Sequence, residues 1–390
     1  MKSDTPTPQL RRDRARVMVL VDSLLVGGAE RLAVDLAAAV DQSRFVPHVV
    51  VSRCSGPLEA VLRDSGVSFT VLNRRRRFSI TAWRRALAIA RRSDLIHSHK
   101  FSSNAWGALL ARLSGTPLIA HEHNFAATPT RLRALIERRW IAPVARQIIC
   151  VSESVATGER DMGISPHRLV VVPNGVMLTA AISRGAARAE LALGDSDYVV
   201  GIVAQLRPEK AHEVLIEAAS IIAERDGFRV CIVGSGPLEA ALRNHCTQCG
   251  VDDVVVWAGE QPQAARLARA FDATVVCSDW EGMPLAALES MAAAVPVVGT
   301  RVGGLVDLLA DDAGVLIAPR NAAELAQAIE RLRRDPERAR EIADRGMQRV
   351  RERHGFDHMV RSIQQIYDEA LGPATATTVT PRSTRDEGAA

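Results

Sequence analysis

Two glutamates, Glu281 and Glu289, are spaced to do chemistry across the start of a helix. They flank the stretch Gly282-Met283-Pro284-Leu285-Ala286-Ala287-Leu288, behind the apolar run Ala273–Ser278, which reads as a buried strand. The chain breaks at Gly282. Pro284 is expected in the first helical turn, where its missing N–H costs nothing. The free N–H groups of Met283, Leu285 and Ala286 then face outward, with the positive end of the helix dipole behind them. A diphosphate suits such a cradle, and the carboxylates would accept hydrogen bonds from hydroxyls on either side of it. Ribose diol, diphosphate and sugar hydroxyls follow that order in a nucleotide-sugar. The bland alternative is a strand-loop-helix turn with one helix cap and one solvated carboxylate.

Other polar residues fall where strands should end. Lys210 closes the loop Gln205-Leu206-Arg207-Pro208-Glu209-Lys210, from which its ammonium could reach phosphate oxygens as a point charge. Gly27-Gly28 lies between a strand and a helix, where a backbone can approach a phosphate or another domain closely. The histidines of His97-Ser98-His99-Lys100 and His121-Glu122-His123-Asn124 sit at two further strand ends. They suit acceptor-hydroxyl contacts or proton handling better than metal ligation, with satisfied core or solvated histidines as the alternative. His245-Cys246-Thr247-Gln248-Cys249 has ligand-like spacing but lacks a second pair to complete a zinc site. No metal is therefore expected, and no cofactor motif is present.

These residues need a scaffold of alternating strands and helices, and the hydrophobic pattern supplies one. Apolar runs at Arg16–Val21, Val46–Ser52, Ser68–Leu72, Asp94–His97, Leu118–His121 and Gln147–Val151 read as strands with helical patterns between most of them. A second series runs through Tyr198–Ala204, Arg229–Val233, Val254–Trp257, Ala273–Ser278 and Pro296–Gly299. Each series predicts a doubly wound parallel sheet, whose ligands bind beyond the carboxyl ends of the strands. At 390 residues the chain is too long for one ordinary core. The expected division is a disordered lead (1–15), a first domain (16–180), a second (181–355), a last helix (356–372) and a disordered tail (373–390).

Composition narrows the class. Apolar residues make up 47% and charged residues 24% of the chain, as in soluble globular proteins. No apolar run is long enough to span a bilayer, and six scattered cysteines suit a reduced, cytoplasmic setting. The net charge of +4 hides an asymmetry: residues 1–180 hold 26 Lys/Arg against 14 Asp/Glu, and residues 181–390 hold 23 against 31. Arg74 to Arg77, Trp83-Arg84-Arg85 and Arg138-Arg139-Trp140 could dock an anionic membrane surface. Nucleic acid competes as a partner, but no nucleic-acid motif accompanies the charge, so none is expected. A merely solvated arginine surface is the third reading.

Taken in order, the motifs resemble those of the GT-B glycosyltransferases, and most closely glycosyltransferase family 4, retaining enzymes that use nucleotide-sugars. The most specific match is Glu281 and Glu289, separated by seven residues, which is similar to that family's E-x7-E motif. Gly27-Gly28-Ala29-Glu30-Arg31, Val172-Pro173-Asn174-Gly175-Val176, Pro208-Glu209-Lys210, Val233-Gly234-Ser235-Gly236-Pro237, Val302-Gly303-Gly304 and Ala313-Gly314-Val315-Leu316 follow in the usual order. The resemblance implies two Rossmann-like domains facing across a cleft, with the C-terminal helix crossing back to the first. It implies that Glu281 contacts donor-sugar hydroxyls and that Glu289 contacts the ribose diol. Lys210 and the amides from Gly282 through Met283 and Pro284 to Leu285 would hold the diphosphate, with Gly28 on the opposite wall. His123 matches the histidine that closes on the sugar.

Two positions depart from the family pattern. Gln205 stands where the family usually has an arginine on the diphosphate, with Arg207 as a possible substitute, and Asp307 stands where a Glu is common. The implied reaction is front-face transfer of a sugar from a nucleotide-sugar to an acceptor hydroxyl of a glycolipid, polysaccharide or small molecule, without a metal. The competing readings are a nucleotide-sugar epimerase or glycan phosphorylase on the same fold, or a weakly active or inactive scaffold marked by Gln205.

Overall fold

A computed structural model of the chain describes residues 14–74, 79–124, 130–177, 182–222, 226–261 and 263–372. The expected disordered lead and tail, and Arg75 to Arg77 of the basic group, fall wholly or mostly outside these residues.

The first sheet is built from β1 (Ala15–Ser23), β2 (Phe45–Cys54), β3 (Ser68–Val71), β4 (Leu95–His99), β5 (Leu118–Glu122), β6 (Ala145–Cys150) and β7 (Leu169–Val171). The second holds β8 (Tyr198–Val203), β9 (Phe228–Val233), β10 (Val255–Gly259), β11 (Ala273–Val276), β12 (Val297–Thr300) and β13 (Val315–Ile317). Both are wholly parallel, in the orders β3-β2-β1-β4-β5-β6-β7 and β10-β9-β8-β11-β12-β13. Strands buried on both faces explain their near-continuous Val/Ile/Leu runs. In each sheet the order reverses beside the first strand, between β1 and β4 and between β8 and β11, which creates the crevice where such sheets bind ligands. The two crevices face each other.

The last helix, Phe356–Leu371, crosses back to the first sheet. Phe356, Met359, Val360, Ile363, Ile366 and Tyr367 are buried with the core of β1 and β2. Each such side chain contributes roughly 1.5–3 kcal/mol of burial. Tyr367 meets Phe45 edge-on at 5.3 Å, and Arg44 pairs with Asp368 at 2.6 Å. The preceding helix, Pro336–Arg353, starts as its sequence prescribes. Pro336 takes the first position, and Asp335 accepts a cap bond from the Arg338 N–H at 2.9 Å.

Several elements lay outside the sequence reading, among them β13 and the helices Arg131–Ile136 and Glu153–Asp161. A helix at Lys100–Ser114 follows β4 without a loop, and a π-helical turn spans Glu137–Ile141. No described helix is long and apolar enough to cross a membrane.

Candidate active site

Between the two sheets lies a cavity of about 750 Å³. Its walls include Gly28, Glu30, Lys100, His123 and Asn174 from the first half, and Gln205, Lys210, Glu281, Met283, Pro284, Leu285, Ala286 and Glu289 from the second. Most residues singled out in the sequence thus converge on one space.

The centre of the wall is the turn from β11 to the helix Leu285–Ala292. Glu281 is buried, and its Oε1 accepts hydrogen bonds from Ser278 Oγ at 2.6 Å and Lys210 Nζ at 2.5 Å. The loop carrying Lys210 is tied to this turn at several points. Cys277 Sγ donates to the Ala211 carbonyl at 3.2 Å, and burial pushes its thiol up to about 12, so it stays a donor. The Asp279 N–H donates to the Glu209 carbonyl at 2.9 Å. From outside, Arg320 grips Asp279 through Nε at 2.6 Å and also pairs with Glu213. The Lys210–Glu281 pair is therefore held by its surroundings rather than by two free side chains.

Glycines let three backbones stack behind this turn. Gly303 has φ of +48°, and a Cβ there would lie 1.7 Å from the Glu281 carbonyl oxygen. A Cβ on Gly282 would lie 2.0 Å from the carbonyl oxygen of His123, so the two halves of the protein touch backbone to backbone at this point. Asn174 adds a second link, donating from Nδ2 to the Met283 carbonyl at 2.8 Å.

Several expected residues take other positions. Pro284 precedes the helix as its N-cap, with φ −71° and ψ 123°, rather than lying in the first turn. Its extended ψ keeps it out of the helix, so Leu285 and Ala286 are the first-turn residues, and their amides lack intrahelical acceptors. Gly282 sits behind the cavity wall, against His123, and does not line it. Arg207 is exposed at the start of a 3-10 turn, away from the cavity, and does not stand in for an arginine at Gln205. Gln205 does line the cavity, and its Nε2 donates to the Val26 carbonyl at 2.5 Å, joining the end of β8 to the glycine turn of the first half. Asp307 is exposed and outside the cavity wall.

Glu289 is half-buried on the helix face toward the cavity. Burial raises its carboxyl to about 7, with Arg31 opposing and Asp35 reinforcing the shift. The Arg31–Asp35 pair, at 2.7 Å, is one the sequence reading did not assign. Lys100, paired with Glu30 across the glycine turn, was also unassigned. Its signal was its place directly after a strand end. Of the four histidines, only His123 lines the cavity, while His97, His99 and His121 are buried behind it. Within this cluster, His123 alone is placed to meet a ligand in the cavity.

Residues 183–349 match the family described as Glycosyl transferases group 1, and residues 26–179 match Glycosyltransferase Family 4. A D-inositol 3-phosphate glycosyltransferase of Thermomonospora curvata is 32% identical over 323 residues, covering 74% of this chain and 75% of that protein. An Escherichia coli UDP-Gal:alpha-D-GlcNAc-diphosphoundecaprenol alpha-1,3-galactosyltransferase is 28% identical over 302 residues, covering 72% and 78%. Among solved structures, Anabaena HepE in complex with UDP and glucose superposes with a TM-score of 0.82 at 20% identity, covering 91% of this chain and 99% of that one. With each half matched by its own family and such identity across about three quarters of a relative, the chain belongs to the group 1, family 4 glycosyltransferases and has the GT-B fold.

Proposed function

We propose that the protein is a retaining glycosyltransferase that moves a sugar from a nucleotide-sugar to an acceptor hydroxyl. The observation that carries this reading is the Lys210–Glu281 pair at the start of the helix Leu285–Ala292, with Glu289 farther along the same cavity wall. The first-turn amides of Leu285 and Ala286 and the Lys210 ammonium face one space, where they would bind a diphosphate and stabilise the charge it gains as it leaves. Glu281, already an acceptor for Lys210, has its second oxygen for donor-sugar hydroxyls, and Glu289 takes the ribose diol. From the first half, Gly28 faces the diphosphate and His123 closes on the sugar. The acceptor hydroxyl attacks the face from which the diphosphate departs and passes its proton to the departing phosphate oxygen, which retains the anomeric configuration. Lys210 supplies the positive charge at the diphosphate, so this reading uses no cofactor and no metal at the donor.

The anchoring of Gln205 to Val26 favours a working site over an inactive one, because the side chain carries a structural bond between the halves. UDP is the donor base to test first, since HepE is a neighbour solved with it. A thermal-shift screen across UDP, GDP and ADP and their sugars identifies the donor, and NMR of the product's anomeric proton reads the stereochemistry. Inversion of configuration would overturn the mechanism. No stabilisation by any nucleotide would overturn the donor site.

The acceptor side belongs to the first half, and an anionic membrane surface is the proposed place where the acceptor is met. Exposed Leu132, Leu135 and Trp140 lie among exposed Arg131, Arg138 and Arg139, which combines apolar insertion with positive charge. Part of the aromatic material is already engaged, since Trp83 stacks on Trp106 at 4.3 Å and the Arg74 guanidinium covers Trp106. Sedimentation with anionic and neutral vesicles at two salt concentrations tests this reading. Failure to bind either vesicle at low salt would refute it.

A further inference from the structure

We propose that His97, His99 and His121 form a three-imidazole site for a divalent transition ion of the zinc class, behind the cavity and separate from the donor cradle. The arrangement follows from strand geometry. His97 and His99 are two apart on β4 and so share a face of the sheet, and His121 on β5 pairs in register with His99. Their rings gather, with centroids 4.2 Å apart for His97 and His99 and 5.1 Å for His99 and His121. Each offers a ring nitrogen within 4.8 Å of one from each of the others. Tetrahedral zinc with nitrogen ligands needs about 3.3 Å between nitrogens, from zinc–nitrogen bonds of about 2.0 Å, so a small inward rotation of the rings completes the set.

The hydrogen bonds around the cluster point the same way. With its proton on Nδ1, His97 donates to Tyr367 Oη at 2.7 Å, and His99 in the same tautomer donates to His123 Nε2 at 2.9 Å. Ligating histidines are characteristically held in this way, with the outer nitrogen fixed by a partner and the inner lone pair left for the ion. The Nε2 atoms of His97 and His99 and both ring nitrogens of His121 are buried without a hydrogen-bond partner in the protein. Buried polar atoms are rarely left so, and four within one cluster call for a ligand. Burial disfavours the charged form of all three imidazoles, and ligation uses the neutral form. An all-imidazole set suits zinc, cobalt or nickel and disfavours magnesium or calcium. Bound there, an ion would pin the ends of β4 and β5 to the last helix through Tyr367, directly behind His123.

Cobalt binding to the demetallated full-length protein tests this. The expected result is one equivalent bound, with the strong visible bands of a four-coordinate cobalt ion and no sulfur-to-cobalt charge transfer in the near ultraviolet. His121→Gln should weaken binding at least 100-fold. Tyr367→Phe keeps the ring packed but removes the outer hydrogen bond of His97, and should weaken binding about 10- to 100-fold. His245→Gln/Cys249→Ser, which disables the other His/Cys group, should leave binding unchanged. Absence of stoichiometric binding in the wild type would overturn the assignment, as would loss of binding in His245→Gln/Cys249→Ser with Tyr367→Phe unaffected.

Discussion

Replacing Lys210 and Glu281 singly and together tests the core of the proposed site. The carboxylate is 7% exposed and the ammonium 24%, at 2.5 Å. At that separation the gross attraction is about 6–7 kcal/mol for an effective dielectric near 20, and desolvation of both charges offsets much of it. Lys210→Ala leaves a buried carboxylate with Ser278 as its remaining side-chain donor among the described residues, so it should cost about 2–3 kcal/mol of stability. Glu281→Ala should cost less, because the partly exposed ammonium can turn to water. The double variant should recover part of the loss, giving a coupling of about 1–2 kcal/mol. In catalysis the effects should be larger. Without Lys210 the leaving diphosphate loses its cation, and turnover should fall by about two to three orders of magnitude, the usual cost of one transition-state donor. Glu281→Ala should fall by a similar factor and, if the pair acts as a unit, the double variant little further. Thermal unfolding and steady-state donor turnover on all four proteins read both cycles. Near-wild-type rates in both single variants would remove these residues from the mechanism, and strictly additive stabilities would show that the pair is not a coupled unit.

Four further outcomes follow from the same site. Glu289 has a folded pKa of about 7 against 4.5 unfolded, so the folded state holds its proton longer and stability should fall as pH rises through that window. The loss is at most about 3 kcal/mol, and unfolding measured from pH 4.5 to 7.5 should show a flatter profile in Glu289→Gln; identical slopes would contradict the shift. Donor KM should also fall as pH rises past 7, because the ionised carboxylate is the better acceptor for ribose hydroxyls, and Glu289→Ala should act mainly on KM. Gly303→Ala forces a Cβ against the Glu281 carbonyl at positive φ, so it should lower Tm and turnover together; a fully active, equally stable variant would refute the stacked-backbone account. Donor turnover should not depend on added magnesium or manganese, because Lys210 and the helix amides meet the diphosphate, and a loss on chelation that only those ions restore would overturn this.

Much of this architecture was legible because the relevant signals are local. The helix Phe356–Leu371 and the helix Pro336–Arg353 could be bounded from sequence, since Gly372, Pro336 and Gly355 punctuate strong apolar periodicities. Glu281 and Glu289 were visible because both sit on one short strand-turn-helix unit. The helix Lys100–Ser114 was hidden because it begins on the residue after β4, with no turn between them. Its first residue, Lys100, takes a left-handed φ of +70° that a lysine seldom adopts, and this sharp entry replaces the expected loop.

What the sequence could not disclose is which partners meet across the cleft. Gln205 illustrates this best. Read along the chain, it is a missing cation beside Lys210, and Arg207 two residues on looks like the repair. In three dimensions, Arg207 is exposed at the head of a 3-10 turn and does not line the cavity, and the Gln205 amide reaches a carbonyl 179 residues earlier. A neutral donor there joins the halves of the cleft without placing a second positive charge beside Lys210. The positive charge lining the cavity comes instead from both halves, through Lys210 and Arg266 from the second and through Arg31 and Lys100, the latter held by Glu30, from the first. The same reasoning applies to the histidines: spacing of two and pairing in register put three of them on one buried sheet face, and only His123, one step beyond the strand end, reaches the cavity. Strand periodicity could have indicated the shared face, but the covering helix meets it through Tyr367, 270 residues from His97 in sequence, where no local pattern records the contact.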